Sequence, residues 1–275
     1  MHRRQRPAGA GHVGDRVKLH RRAVWCDGRE FTVITLRPDT DCRFSTNFYH
    51  DTWHILSDWR GARLLGRLLW GLAYQRRPGT LVLIDRPHLG PNPFDGRPGD
   101  PIVLVPSDLT ALSVRAAQAL RRRLPLRGAP DGTVRWQTHG LDPVVAQRVP
   151  WDERPPGVQR APIVPVRGPQ PKIDRVGGLL MFAASAHDLR SYAPDVHELG
   201  RYAFRGMDYT EVESPDGEVQ VFNDFRHRVS AATAARRELR AEGVTGAGPG
   251  FDELVWDRGT DVRRRALRPI AAGTG

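Results

Sequence analysis

Two short, continuous apolar runs, TLVLID at 80–85 and PIVLVP at 101–106, constrain this fold more than any other feature of the chain. Each has strand length, and neither alternates like a strand with one wet face. Both therefore read as strands buried on both faces of a covered sheet. Upstream, AVWCDGREFTVITL at 23–36 holds two β-rich runs around Asp27-Gly28, a strong hairpin signal. RPDTDCRFSTN reads as a loop, and residues 51–75 carry a helical period. Ile55, Trp59, Ala62, Leu65, Leu69, Leu72 and Ala73 share one face, while Arg60, Arg63 and Arg67 lie outside it. Gly61, Gly66 and Gly71 weaken that helix by about 1 kcal/mol each unless they permit close packing. Strand, helix, strand is a βαβ unit, which requires parallel strands and a right-handed crossover.

A long loop, RPHLGPNPFDGRPGD, leads to the 101–106 strand, after which Ser107 or Asp108 caps a helix running to about Leu124. Its arginines 121–123 read as a solvated helix end that suits the dipole. Residues 149–172 contain seven of the 23 prolines and form a Pro-rich connector. Beyond it, GGLLMFAAS reads as a buried strand, and YTEVESPDGEVQVF as a hairpin turning at Pro215-Asp216-Gly217. RHRVSAATAARRELRAEG then reads as a helix ended by Gly243. The expected fold is α/β, a mixed and mostly parallel sheet with a βαβ unit, plus a smaller α+β part after the connector. The expected organisation is a disordered basic arm (1–16), an α/β domain (17–148), the connector (149–172), the smaller part (173–243) and a flexible basic tail (244–275).

Charge adds a second constraint. The formal net charge is +11, and only Lys18 and Lys172 among the 42 cations are lysines. Residues 1–22 hold seven cations and one acid, and residues 255–275 hold five cations and two acids. Most of the surplus thus lies in the two ends, and the body reads as nearly neutral. Basic ends of this kind are solvated tails or weak, sequence-independent contacts to nucleic acid. The longest apolar run, LLGRLLWGLA at 64–73, is too short to span a bilayer and is interrupted by Arg67. With no apolar stretch following the basic start, the expected location is the cytoplasm, without a membrane.

The stretch YHDTWHILSDW raises the question of metal chemistry, because His50 and His54 stand four apart. Asp51 reads as an N-cap, however, which would leave His50 outside the helix. Asp58, one turn on from His54, is placed to fix the tautomer of a buried imidazole. Topology offers a better site. In open α/β sheets ligands bind beyond the carboxyl ends of the strands. At that rim the first strand exits into Asp39 and Asp41, and the second into Asp85 and His88, while the crossover helix brings His54. If the 101–106 strand is also parallel, Ser107 and Asp108 join them under the 86–100 loop. Asp39, Asp41 and Asp85 are the candidate ligands of a divalent metal ion, and His54 and His88 the candidate proton-transfer residues.

No GxGxxG, GKS/T or GxSxG sequence is present, so dinucleotide, P-loop and α/β-hydrolase chemistry have no motif. Cys26 and Cys42 form no CxxC, and Asp39 and Asp41 beside Cys42 disfavour a thiolate. His187-Asp188 and His197-Glu198 read as surface residues. Two function classes remain. One is an intracellular binding or regulatory protein for an unknown protein or small-molecule ligand, with basic arms that add weak nucleic-acid contact. The alternative is a metal-dependent hydrolase or transferase at the carboxyl edge of the sheet.

Overall fold

The computed structural model describes residues 17–148, 170–201, 206–212, 217–246 and 248–267. The basic arm, nearly all of the Pro-rich connector and the 213–216 turn lie outside the described residues. β1 (Val17–Cys26) and β2 (Arg29–Thr35) form the expected hairpin, with Asp27 and Gly28 both at positive φ. The chain then makes a second hairpin, β3 (Phe44–Tyr49) and β4 (Thr52–Ser57), where a loop and the start of a helix are expected. Its tip is His50-Asp51, at φ 49° and 57°. Two successive left-handed residues make a type I′ turn, and His and Asp tolerate that region better than most side chains.

The helix expected over 51–75 therefore begins only at α1 (Trp59–Leu72). Trp53 and Ile55 alternate with His54 and Leu56 across a pleat, and Asp58 rather than Asp51 is the N-cap. Asp58 Oδ1 accepts the Gly61 N–H at 2.9 Å. The glycines of α1 do permit close packing. A Cβ on Gly66 would lie 2.6 Å from the Ala193 carbonyl oxygen of α4 (Ala186–Glu198).

α1 returns the chain to β5 (Thr80–Ile84), which runs parallel to β2 with Thr32 opposite Thr80. The βαβ unit is present, with the β3–β4 hairpin inserted. β6 (Ile102–Pro106) is antiparallel to β5, with Ile84 opposite Ile102. No helix carries the chain back across the sheet between them. The 86–100 loop instead lies along β3, where the Phe44 N–H donates to the His88 carbonyl at 2.8 Å and the Gly90 N–H to the Phe44 carbonyl at 2.7 Å. Ser107 and Asp108 consequently leave at the opposite rim. They turn on the Pro106 carbonyl, so α2 (Val114–Arg122) starts later than expected, capped by Ser113.

β7 (Gly132–Trp136), α3 (Leu141–Ala146), β8 (Lys172–Val176) and β9 (Leu179–Ala184) follow. The first sheet has the order β7-β1-β2-β5-β6-β9-β8, with β9 parallel to β6. β10 (Met207–Val212) and β11 (Gly217–Phe222) complete a second sheet, β10-β11-β4-β3, in which β11 is parallel to β4. The fold is a mixed α/β fold, but residues 173–243 do not form a part of their own. Their strands finish both sheets, because the buried run Leu179–Ala184 and the half-buried Gly217–Phe222 need neighbours on each side. α1 and α4 cover Ile34, Val82, Leu104 and Phe182 on one face of the large sheet, and α2 covers Val33, Leu81, Val103 and Met181 on the other.

α5 (Phe225–Ala241) ends near Gly243, which stands at φ 81°. In place of the flexible tail expected from 244, α6 (Pro249–Leu267) packs Phe251 and Val255 against Ala235 and Leu239 of α5. A four-residue spacing of apolar side chains gives that segment a helical stripe to bury. Among the described residues, no helix is long and apolar enough to cross a membrane.

Candidate functional site

The parallel pair β2 and β5 brings two of the five expected residues to one place. Asp85 and His88 line a cleft of about 130 Å³ at the carboxyl rim of these strands. His20 and Arg22 of β1 line it too, because alternate residues of a strand share a face and the register sets His20 opposite Thr35. Arg86 and Leu126 complete the wall. Arg22 is held by the chain beyond α2, donating to the carbonyls of Gly128 at 3.0 Å and Ala129 at 3.1 Å. Neither Arg22 nor Arg86 has a carboxylate partner among the described residues.

His88 is 2% exposed and spends both ring nitrogens on the fold. Nε2 lies 2.9 Å from the Arg37 carbonyl, which can only accept, so Nε2 carries the proton. Nδ1 is then the acceptor facing the Cys42 thiol at 3.8 Å. Burial holds the His88 pKa below its usual value, and burial pushes the Cys42 thiol up to about 12. The pair is a neutral tie between the exit of β2 and the 86–100 loop. It suits neither a nucleophile nor a proton shuttle.

The other three residues do not line the cleft. Asp39 is exposed and meets Arg37 at 3.3 Å. Asp41 accepts from Arg60 and Arg226, each at 2.6 Å, and the hydrogen bond from Arg226 holds its carboxyl below the usual range. His54, expected on a helix beside Asp58, sits on β4 in the second sheet. Its Nε2 is 3.5 Å from Glu218, the residue opposite it on β11. Burial lowers the His54 pKa, and Glu218 opposes that shift. No group of three or more His, Cys, Asp or Glu side chains among the described residues is placed to hold a metal ion.

Electrostatics mark a larger feature that reading the charge by chain position missed. Residues 17–37, 76–86 and 112–136 build neighbouring elements: β7, β1, β2, β5 and α2. They carry fourteen cations and four acids, whereas the other described residues carry nineteen cations and twenty-two acids. Among the fourteen, only Arg37 and Arg77 pair with a carboxylate of a described residue. The basic C-terminal segment is largely neutralised in place, with Arg258 gripping Glu242 through two nitrogens at 2.6 and 2.8 Å and Arg265 meeting Glu238 at 3.0 Å. Trp25, 59% exposed, stands on β1 on the sheet face opposite α2. The signal available in the sequence was alternation along β1, which groups His20 and Arg22. Nothing in it announced that the arginines of α2 would join them. No protein-family model, curated protein or solved structure matches this chain.

Proposed function

We propose that the chain is an intracellular binding protein for a phosphate-backbone polymer, and that the contact surface is the basic region of β7, β1, β2, β5 and α2 rather than the terminal arms. The observation that carries this reading is the fourteen-to-four imbalance in that region, with twelve cations meeting no carboxylate of a described residue, against a slightly acidic remainder of the described residues. Guanidinium groups present forked donors that match phosphate oxygens, and thirteen of the fourteen cations are arginines. Counterion release then supplies sequence-independent affinity. The arginines 121–123, read from sequence as a solvated helix end, become part of this surface. The basic arm 1–16 joins it at Val17, the first residue of β1. Two buried, unpaired thiols, Cys26 and Cys42, suit a reducing compartment.

Fluorescence anisotropy of the full chain with unphosphorylated duplex and single-stranded oligonucleotides tests the reading. Affinity is expected to fall steeply with salt, with a log–log slope of about −0.9 per duplex phosphate neutralised. The triple variant Arg121→Glu/Arg122→Glu/Arg123→Glu is expected to weaken binding more than tenfold, and Arg258→Glu to leave it unchanged. Equal binding by the triple variant, or affinity indifferent to salt, overturns the proposal.

A further inference from the structure

The geometry points to a second, smaller site: we infer that the rim cleft takes a phosphomonoester, attracted by Arg22 and Arg86 and selected by Asp85. A volume of 130 Å³ holds about four waters at roughly 30 Å³ each. That is room for one tetrahedral oxyanion, and it is well short of the several hundred Å³ that enclose an organic ligand. Two of Arg22's five N–H donors are spent on the 128 and 129 carbonyls, which fixes the guanidinium against the wall without neutralising it. Arg86 is exposed and free of any carboxylate among the described residues, and His20 adds a third polar group. Leu36, Leu83 and Leu126 supply apolar walls that lower the local dielectric and strengthen the charge interaction.

Asp85 is the lining residue that decides between anions, and it is the one acid there among the described residues. An ionised carboxylate accepts hydrogen bonds and cannot donate one. It repels an anion that arrives without a proton and accepts a hydrogen bond from one that brings its own. A phosphate monoester, whose second pKa is about 6, brings that proton at pH 6 and below, and sulfate does not. The shared chemistry is the phosphomonoester group, and it has two sources: free phosphate or a small phosphorylated molecule, and the terminal phosphate of a nucleic-acid strand.

Isothermal titration of the full chain at pH 6 with inorganic phosphate and with sulfate tests the site. Phosphate is expected to bind at least tenfold more tightly than sulfate. Asp85→Asn is expected to abolish that preference by admitting sulfate, and Arg86→Ala to weaken both anions. Arg22 is left intact because it also holds residues 128 and 129. Oligonucleotides with and without a 5′-phosphate separate the sources. A gain from the 5′-phosphate that Arg86→Ala removes assigns the strand end, and phosphate binding without that gain assigns a small molecule. Equal affinity for phosphate and sulfate, or an unchanged ratio in Asp85→Asn, overturns the inference. Because the polymer reading is measured on unphosphorylated strands, either can fail while the other stands.

Discussion

In the region of β7, β1, β2, β5 and α2, two of fourteen cations meet a carboxylate of a described residue. Elsewhere in the described residues, thirteen of nineteen do. In the second region the pairs join elements: Arg148 of the chain after α3 reaches Asp195 on α4, Arg226 of α5 reaches Asp41, and Arg97 of the long loop reaches Asp252 on α6. Exposed pairs contribute little singly, but they leave that region almost without net charge. The first region keeps its surplus, and a surplus of like charge works against compactness. The contrast teaches that the two sets of arginines differ in role. One set ties the fold together, and the other is left unsatisfied by the fold itself.

If that division holds, sensitivity of stability to substitution and to acid belongs to the second region. The largest expected effect is at His197, largely buried between α1 and α4 beside Gly66. Burial, reinforced by Arg67, Arg63 and Arg201 and opposed by Asp142, pushes its pKa down to about 4 from 6.5. Above pH 6.5 the imidazole is neutral folded or unfolded and costs nothing. As pH falls from 6.5 towards 4, the unfolded chain takes up a proton that the folded one refuses, so stability declines by about 1.4 kcal/mol per pH unit, roughly 3 kcal/mol in all. Denaturant unfolding of the wild type and His197→Gln across this window measures it. An equally steep decline in the variant would remove His197 from the account. The part of the window above about pH 5 lies above the range in which ordinary carboxylates protonate, so loss of the ion pairs does not mimic the decline there.

A smaller effect is expected at Asp58, which a sequence reading pairs with His54. It caps α1 through Gly61 and lies 3.5 Å from Arg226. Asp58→Ala is expected to lower unfolding free energy by about 1–2 kcal/mol while oligonucleotide affinity stays unchanged. Asp58→Asn keeps an oxygen for the cap and is expected to lose less. Similar losses in both variants would shift the weight from the cap to the ion pair.

The misreading of this stretch shows where sequence legibility stops. The parallel β2–β5 pair, the Asp27-Gly28 turn and the close-packing role of Gly66 were readable, because each rests on local pattern or on the handedness of one crossover. Hence Asp85 and His88 were correctly assigned to one rim. His54 was not, since Ile55 and Trp59 fit a helical wheel as well as they fit a strand followed by a capped helix, and short apolar runs do not separate the two. Its partner Glu218 follows from β4 lying beside a strand far along the chain, a tertiary choice with no local mark. The direction of β6 turned on whether the 86–100 loop crossed the sheet or folded onto β3. The basic region was hidden for a related reason. Its three segments are separated in sequence, so charge summed by position placed the surplus at the ends.

The smallest expected effect carries the opposite sign and tests the contrast most directly. Arg121, Arg122 and Arg123 are exposed at the end of α2, have no carboxylate partner among the described residues, and lie between Arg115 and Arg127 in sequence. Reversing all three removes like-charge repulsion from that surface. It also removes basic residues from a helix C-terminus, where the dipole favours them by a few tenths of a kcal/mol each. The two effects nearly cancel, so the triple variant is expected to unfold within about 0.5 kcal/mol of wild type, with any gain largest at low salt. Guanidinium unfolding screens the very term at issue, so urea at low ionic strength is the appropriate measurement. A loss above about 1 kcal/mol would mean that these arginines stabilise the fold after all, and the distinction between a tied region and an unsatisfied one would collapse.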